Sequence, residues 1–274
     1  MITLQEVVNI DKRIREAIEN TLDALRVASL PNYVLFLADG EHIKELEPIM
    51  NMNPFGIDYR MDRLRDHDRF EFLVQFIQTF YSGANGQTSI DDNTQRIHME
   101  LMIYTHIWES KPFLKRLYRL AHISNGEEYL WIVSIPDTGK HKFILKTIRE
   151  TFYNTNNDLG DIIKRGFHTS LRNAFAHSEY FFNNLNNERE IALDNSGGQA
   201  WELDCITYDD WSKRFVYSAL LSYHLLSVTF DKRKSLIADT GTDTFTIKQP
   251  TRAGGLRDVN IVYGEEDDTF RFQQ

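Results

Sequence analysis

Apolar residues recur along most of the chain at three- and four-residue intervals, the period of a helix buried on one face. Ile10, Ile14, Ile18, Leu22 and Leu25 line one side of a long first helix, which Pro31 ends. Residues 32–57 follow no clear period: 33–37 is a short apolar run, Asp39-Gly40 reads as a turn, and Pro54 and Gly56 mark another break. A second helix over about 59–81 turns Met61, Leu64, Leu73, Phe76, Ile77 and Phe80 inward, and residues 82–89 make the best linker. A third helix carries Ile97, Leu101, Tyr104 and Trp108. Pro112 suits the first turn of a fourth, with Leu114, Leu117 and Ala121.

Residues 129–135 fit either a buried strand or a helix end. Asp137 or Thr138 caps the next helix, whose face is Ile144, Ile148 and Phe152. One further helix starts near Asp158, with Leu159, Ile163, Phe167 and Ala174 as its core stripe. Beyond His177 the period becomes two. Ile191 and Leu193, then Trp201, Leu203 and Cys205, alternate with polar residues around Asn195-Ser196-Gly197-Gly198, the pattern of a β-hairpin. Thr207 with Asp210 resembles a capping box and opens a helix through Trp211, Phe215, Ala219, Leu226 and Phe230. Residues 232–274 are polar with β-like pieces at 244–247 and 259–263; the ending EEDDTFRFQQ reads as a mobile tail or one more strand. The expectation is a mainly α chain in three segments: an N-terminal helical extension (1–90), a helical domain (91–231) and a polar C-terminal segment (232–274).

Composition narrows the class. With 42% hydrophobic and 26% charged residues over 274 positions, the chain can bury a core and is not wholly disordered. A single cysteine, Cys205, excludes an internal disulfide and a cysteine-rich zinc site. The first twenty residues lack a secretory pattern and no apolar run approaches ~20 residues, so a cytoplasmic protein without a membrane partner is expected. Net charge is −9, against indiscriminate nucleic-acid binding, yet residues 111–172 carry a local +5 and the remainder −14. Lys111, Lys115, Arg116 and Arg119 read first as solvated surface charge. His98, His106, His122 and His141 lack metal-ligand spacing, and no glycine-rich phosphate loop occurs, so neither metal nor cofactor is expected.

One segment stands apart: Leu171-Arg172-Asn173-Ala174-Phe175-Ala176-His177-Ser178-Glu179-Tyr180. Arg172 and His177 are five positions apart, about 140° around a helix, whereas Asn173 and His177 share a face. Lys164, His168 and Arg172 form a second series at four-residue spacing. A guanidinium grips phosphate oxygens and an imidazole exchanges protons near neutral pH. RNA brings its own nucleophile, the 2′-hydroxyl, so these two groups meet the needs of its cleavage.

Arg172, four residues, then His177, with Asn173 directly after the arginine, resembles the signature of HEPN (higher eukaryotes and prokaryotes nucleotide-binding) domains. The matching organisation spans roughly residues 91–231: helices before the motif, the motif closing one of them, a long helix after. The resemblance implies a HEPN-like helical bundle and a homodimer in which two copies of the motif face each other. It implies a metal-independent endoribonuclease leaving a 2′,3′-cyclic phosphate, in a toxin or phage-defence setting with an antitoxin or regulatory protein as possible partner. Arg172 would polarise the phosphate, His177 would act as general acid or base, and Asn173 would orient either. Lys164, Arg165 and His168 would extend a substrate track, although a solvated face explains them as well. A subgroup of the family is modified at a tyrosine two residues after the histidine; here that position is Glu179, and the regulation does not carry over to Tyr180. The competing expectation is a catalytically silent module of the same fold that binds a nucleotide or a partner protein.

Overall fold

The computed structural model describes residues 2–58, 60–82, 89–184, 189–196, 198 and 202–273, with the side chains of 60–67 also outside the description. Helix α1 (Leu4–Ala28) starts at a full capping box between Thr3 and Glu6 and buries the expected stripe from Ile10 to Leu25. It stops at Ala28, before Pro31. Pro31 instead occupies the first turn of α2 (Leu30–Leu37), where its missing N–H is no loss. The run 33–37 is therefore helix, and it shows no period because α1, α5, α10 and β6 enclose it. After a turn at Asp39 (φ +50°), β1 (Glu41–His42) pairs antiparallel with β2 (Phe55–Gly56).

In α3 (Arg60–Tyr81), Leu73 and Phe76 are buried, with Ile77 and Phe80 packed on the same cluster. The side chains of Met61 and Leu64, and the linker residues 83–88, lie outside the description. Helices α4 (Thr94–Glu109) and α5 (Lys111–Ser124) meet at Ser110 and bury all seven expected positions, Ile97 to Trp108 and Leu114 to Ala121. Residues 129–135 are neither strand nor helix end. They run extended with Tyr129, Trp131, Val133 and Ile135 inward, and Arg119 donates to the Leu130 and Trp131 carbonyls at 2.9 and 3.3 Å. Arg119 is thus buried, while Lys115 and Arg116 pair with Glu41 and Asp39; this side of α5 is not a solvated charged face.

Neither Asp137 nor Thr138 caps the following helix. Gly139, in the left-handed region, occupies that position, and Asp137 pairs with Lys111 at 2.7 Å. Helix α6 (Lys140–Lys142) continues through a π-helical stretch (Phe143–Arg149) into α7 (Glu150–Asn154), burying Ile144, Ile148 and Phe152.

The single helix expected over 158–177 is two, α8 (Leu159–Gly166) and α9 (Thr169–His177), with Phe167 and His168 extended between them. Gly166 lies against Ser218 and Trp108, where a Cβ would come within 3.0 Å of the Ser218 hydroxyl. The carbonyls freed by the break find donors on α10. Ser218 donates to Gly166 at 3.1 Å, and Arg214 donates to Lys164 and Phe167 at 3.3 and 3.1 Å.

The expected hairpin is β4 (Glu190–Leu193) with β5 (Cys205–Thr207), in register Ile191 opposite Ile206; Trp201 lies outside the described residues. An unexpected strand, β3 (Tyr180–Asn183), adds to the free edge of β4. Its three consecutive aromatics hide the alternation. Helix α10 (Tyr208–Lys234), capped by Thr207, packs on α1, α2, α3, α4 and α8. Trp211, Phe215 and Ala219 face inward, but Leu226 is half-buried and Phe230 is 44% exposed; Leu225 and Val228 are buried instead. After α11 (Leu236–Thr240), β6 (Thr244–Pro250), β7 (Leu256–Gly264) and β8 (Thr269–Phe272) form an antiparallel meander, so the chain's ending pairs as a strand. Phe245, Ile261 and Phe270 join Ile10, Leu73 and Trp211 in one continuous hydrophobic cluster.

Two buried networks tie these elements together. At one end of α10, Arg96 pairs with Glu100, which also accepts from Tyr81 and from the Trp211 indole at 2.9 Å. At the other, Arg233 grips Asp58 with two nitrogens (2.9 and 2.8 Å), Asp268 at 2.8 Å and the Leu37 carbonyl at 2.8 Å. Replacing Arg233 with Ala strips both carboxylates of their guanidinium and should cost about 3–5 kcal/mol in urea denaturation; a loss below about 1 kcal/mol would show that the meander docks without it. Burial pushes the Glu100 carboxyl up to about 7, against the pull of Arg96. The folded chain then holds that proton more tightly than the unfolded chain, so the stabilisation is complete below about pH 4.5 and lost as pH rises through 7. Calorimetry should show the Tm of the parent falling relative to Glu100→Gln between pH 5 and 8, whereas parallel profiles would refute the shift.

Candidate functional site

The site forms where α9 begins and ends. Helix α9 is anchored on α4 by Tyr104 and Phe175, whose rings meet edge to face at 6.0 Å. At its start, the His168 N–H donates to the Tyr104 hydroxyl at 2.9 Å, and the Arg172 N–H closes the first turn onto the His168 carbonyl at 3.1 Å. At its end, Ser178 takes the left-handed conformation (φ +58°), and the Glu179 N–H returns to the Ala174 carbonyl at 2.8 Å. That turn stops α9 at His177 and launches β3.

Arg172, 13% exposed, is held by an ion pair to Glu109 at 3.2 Å, and Lys140 binds the other oxygen of the same carboxylate. His177 is exposed at the tip of the helix and Asn173 is half-buried one turn earlier. The structure therefore places Arg172 and His177 on one short helix but not in one cleft of a single chain: five residues advance ~7.5 Å along the axis and ~140° around it.

The series Lys164, His168, Arg172 is not one helical row, because the break at 167–168 lies inside it. Lys164 is exposed on the last turn of α8. Arg165 pairs with Asp161 at 2.6 Å and covers the Tyr217 ring, turned to α10 and its own helix. His168 does join Arg172, at the foot of α9. Tyr180 packs its ring on Phe175 and Phe182, and Phe181 is 55% exposed beside them.

The fold adds groups that sequence spacing does not reveal. Arg214 of α10 reaches the α8–α9 joint through its bonds to Lys164 and Phe167. Burial depresses the Arg214 guanidinium and pushes the Tyr104 hydroxyl up to about 12, with Arg214 and Arg172 pulling the latter back. His168 is driven down by burial and then by Arg214; His141 is driven down by burial and then by Arg172, while Glu202 opposes the shift in both. Glu202 lies near because its N–H donates to Ser170 at 3.0 Å. The one sequence signal for Arg214 is an arginine beside Phe215 on the apolar run of α10. Among the described residues, no group of three His, Cys, Asp or Glu side chains is placed to hold a metal ion, and no helix is long and apolar enough to cross a membrane.

The arrangement supplies a half-buried positive surface at the foot of α9 and a solvent-facing imidazole at its tip. Since Ser178 bears a Cβ in the left-handed region, Ser178→Gly should stabilise the chain by about 0.5–1 kcal/mol, raising Tm by ~1–4 °C in calorimetry; a lower Tm would mean that the serine side chain fixes the helix end. No family model, curated protein or solved structure matches this chain.

Proposed function

We propose that the chain is a metal-independent endoribonuclease of the HEPN type, acting as a homodimer. The observation that carries this reading is α9: a fixed guanidinium, Arg172, five residues before an exposed imidazole, His177, at an abrupt helix end. Because the two side chains diverge around α9, a two-fold interface is needed to bring the guanidinium of one copy to the imidazole of the other. In the reaction, the RNA 2′-oxygen bonds to the adjacent phosphorus and loses its proton, and the bond to the 5′-oxygen breaks as that oxygen gains one. The products are a 2′,3′-cyclic phosphate and a 5′-hydroxyl. Arg172 offsets the charge on the phosphorane, His177 moves a proton as general acid or base, and Asn173 orients the phosphate or the ring. A toxin or phage-defence setting, with an antitoxin as restraint, follows the same resemblance.

A second reading is a silent module that binds a nucleotide or a protein. The Arg172–Glu109 ion pair favours it, since a carboxylate already engages the guanidinium, as does the net charge of −9. An RNA cleavage assay in EDTA separates the two. The parent should cut a mixed RNA pool and leave cyclic phosphate ends, and folded His177→Ala and Arg172→Ala should each lose at least 100-fold in rate. Equal cleavage by a folded His177→Ala would sink the nuclease mechanism.

A further inference from the structure

The α8–α9 joint gathers three cations around one directly touching carboxylate, with Glu202 and Asp210 acting from further off. Arg172, Arg214 and Lys140 approach it from three helices, and Glu109 is the carboxylate in direct contact, shared between Arg172 and Lys140. Among the described residues Arg214 pairs with no carboxylate; its bonds run to the Lys164 and Phe167 carbonyls through one terminal nitrogen. The C-terminal carbonyls of α8 offer only about half a negative charge to offset it. Three nitrogens here are buried without a partner: Nε of Arg172, Nε of Arg214 and Nδ1 of His168. A buried cation and unsatisfied donors are costly unless an anion meets them. Arg214 reaches the carbonyl of Phe167, directly before His168, and acts on the His168 ring, while Arg214 and Arg172 both act on the Tyr104 hydroxyl, so the three groups lie around the Tyr104 end of the joint.

We propose that Arg214 and His168, together with Arg172, form a seat for a phosphate group at the α8–α9 joint, and, resting on the reading above, that this seat holds the RNA phosphate. Arg214 supplies permanent charge from α10, a helix the motif itself does not include. His168 supplies a neutral ring nitrogen. Glu109 holds Arg172 in place until phosphate oxygens displace it. Arg214 is a positioning residue: it fixes the phosphate and moves no proton.

The test uses the full chain and an RNA strand with every 2′-oxygen methylated, so that binding is read without cleavage. Fluorescence anisotropy should show Arg214→Gln binding about tenfold more weakly, with the slope of log affinity against log salt reduced by ~0.7, the release expected for one lost phosphate contact on a single strand. Arg214→Lys, which keeps the charge, should restore most of the affinity and the slope. His168→Ala leaves its backbone bond to Tyr104 in place and should weaken binding about threefold; it carries the test if Arg214→Gln fails to fold by circular dichroism. Unchanged affinity and slope in the folded variants overturn the proposal. Added inorganic phosphate that raises the Tm of the parent but not of Arg214→Gln shows that the seat takes a free phosphate group. No such rise, with strand binding still dependent on Arg214, shows that it takes the phosphodiester of a strand. If the parent binds the methylated strand through Arg214 yet leaves unmodified RNA intact, the nuclease reading fails and the phosphate seat stands.

Discussion

The enclosure of α10 is the constraint on which the rest of the structure depends. Packed against α1, α2, α3, α4 and α8, it has no solvated face along its middle on which to leave a polar group. Each one must be met from a neighbouring element or from the helix itself, or the burial fails. Ser212 accepts from Arg96, and Ser218 accepts from the Trp108 indole while donating to Gly166. His224 meets Asp11 at 2.8 Å, Thr229 returns to the Leu225 carbonyl, and Arg233 collects Asp58, Asp268 and Leu37. These bonds fix which elements may touch α10 and in what register. The C-terminal meander and the N-terminal helices are held to one core in this way.

The same requirement shapes the site. Arg214 is another polar residue of α10, and it finds carbonyls because α8 breaks beside it. Without the break at Phe167–His168, Lys164 and Arg172 would lie along one continuous helix. With it, α9 turns onto α4 and carries Arg172 to Glu109. Packing of Gly166 on Trp108 and Ser218 is thus linked, through five residues of backbone, to the position of the motif.

The buried cations differ in how far they are neutralised. Arg233 engages two carboxylates, and Arg96 two carboxylates and two hydroxyls; both are structural ties. Arg172 and Arg214 each leave a buried nitrogen without a partner, at the start of α9. Two such cations at one joint, with a ring nitrogen of His168 also unpartnered, are the observation behind the proposed phosphate seat.

The sequence by itself determined the helices whose burial is one-sided. In α1 and α4 a stripe at three- and four-residue spacing names the buried residues, because one face meets the core and the other meets water. It determined the Thr207 cap, the β4–β5 hairpin and the segment from Arg172 to His177, which are local in the chain. The tertiary structure alone decided what depends on enclosure or on distant partners. Residues 33–37 carry no period because every side is covered, and towards the end of α10 the buried positions are Leu225 and Val228 while Phe230 is exposed. Arg119 reads as a surface charge until carbonyls from another segment bury it, and nothing in the spacing marks Arg214 for its carbonyl partners. The break between α8 and α9 arises from contacts with α10 more than forty residues away, a separation at which no sequence period can show it.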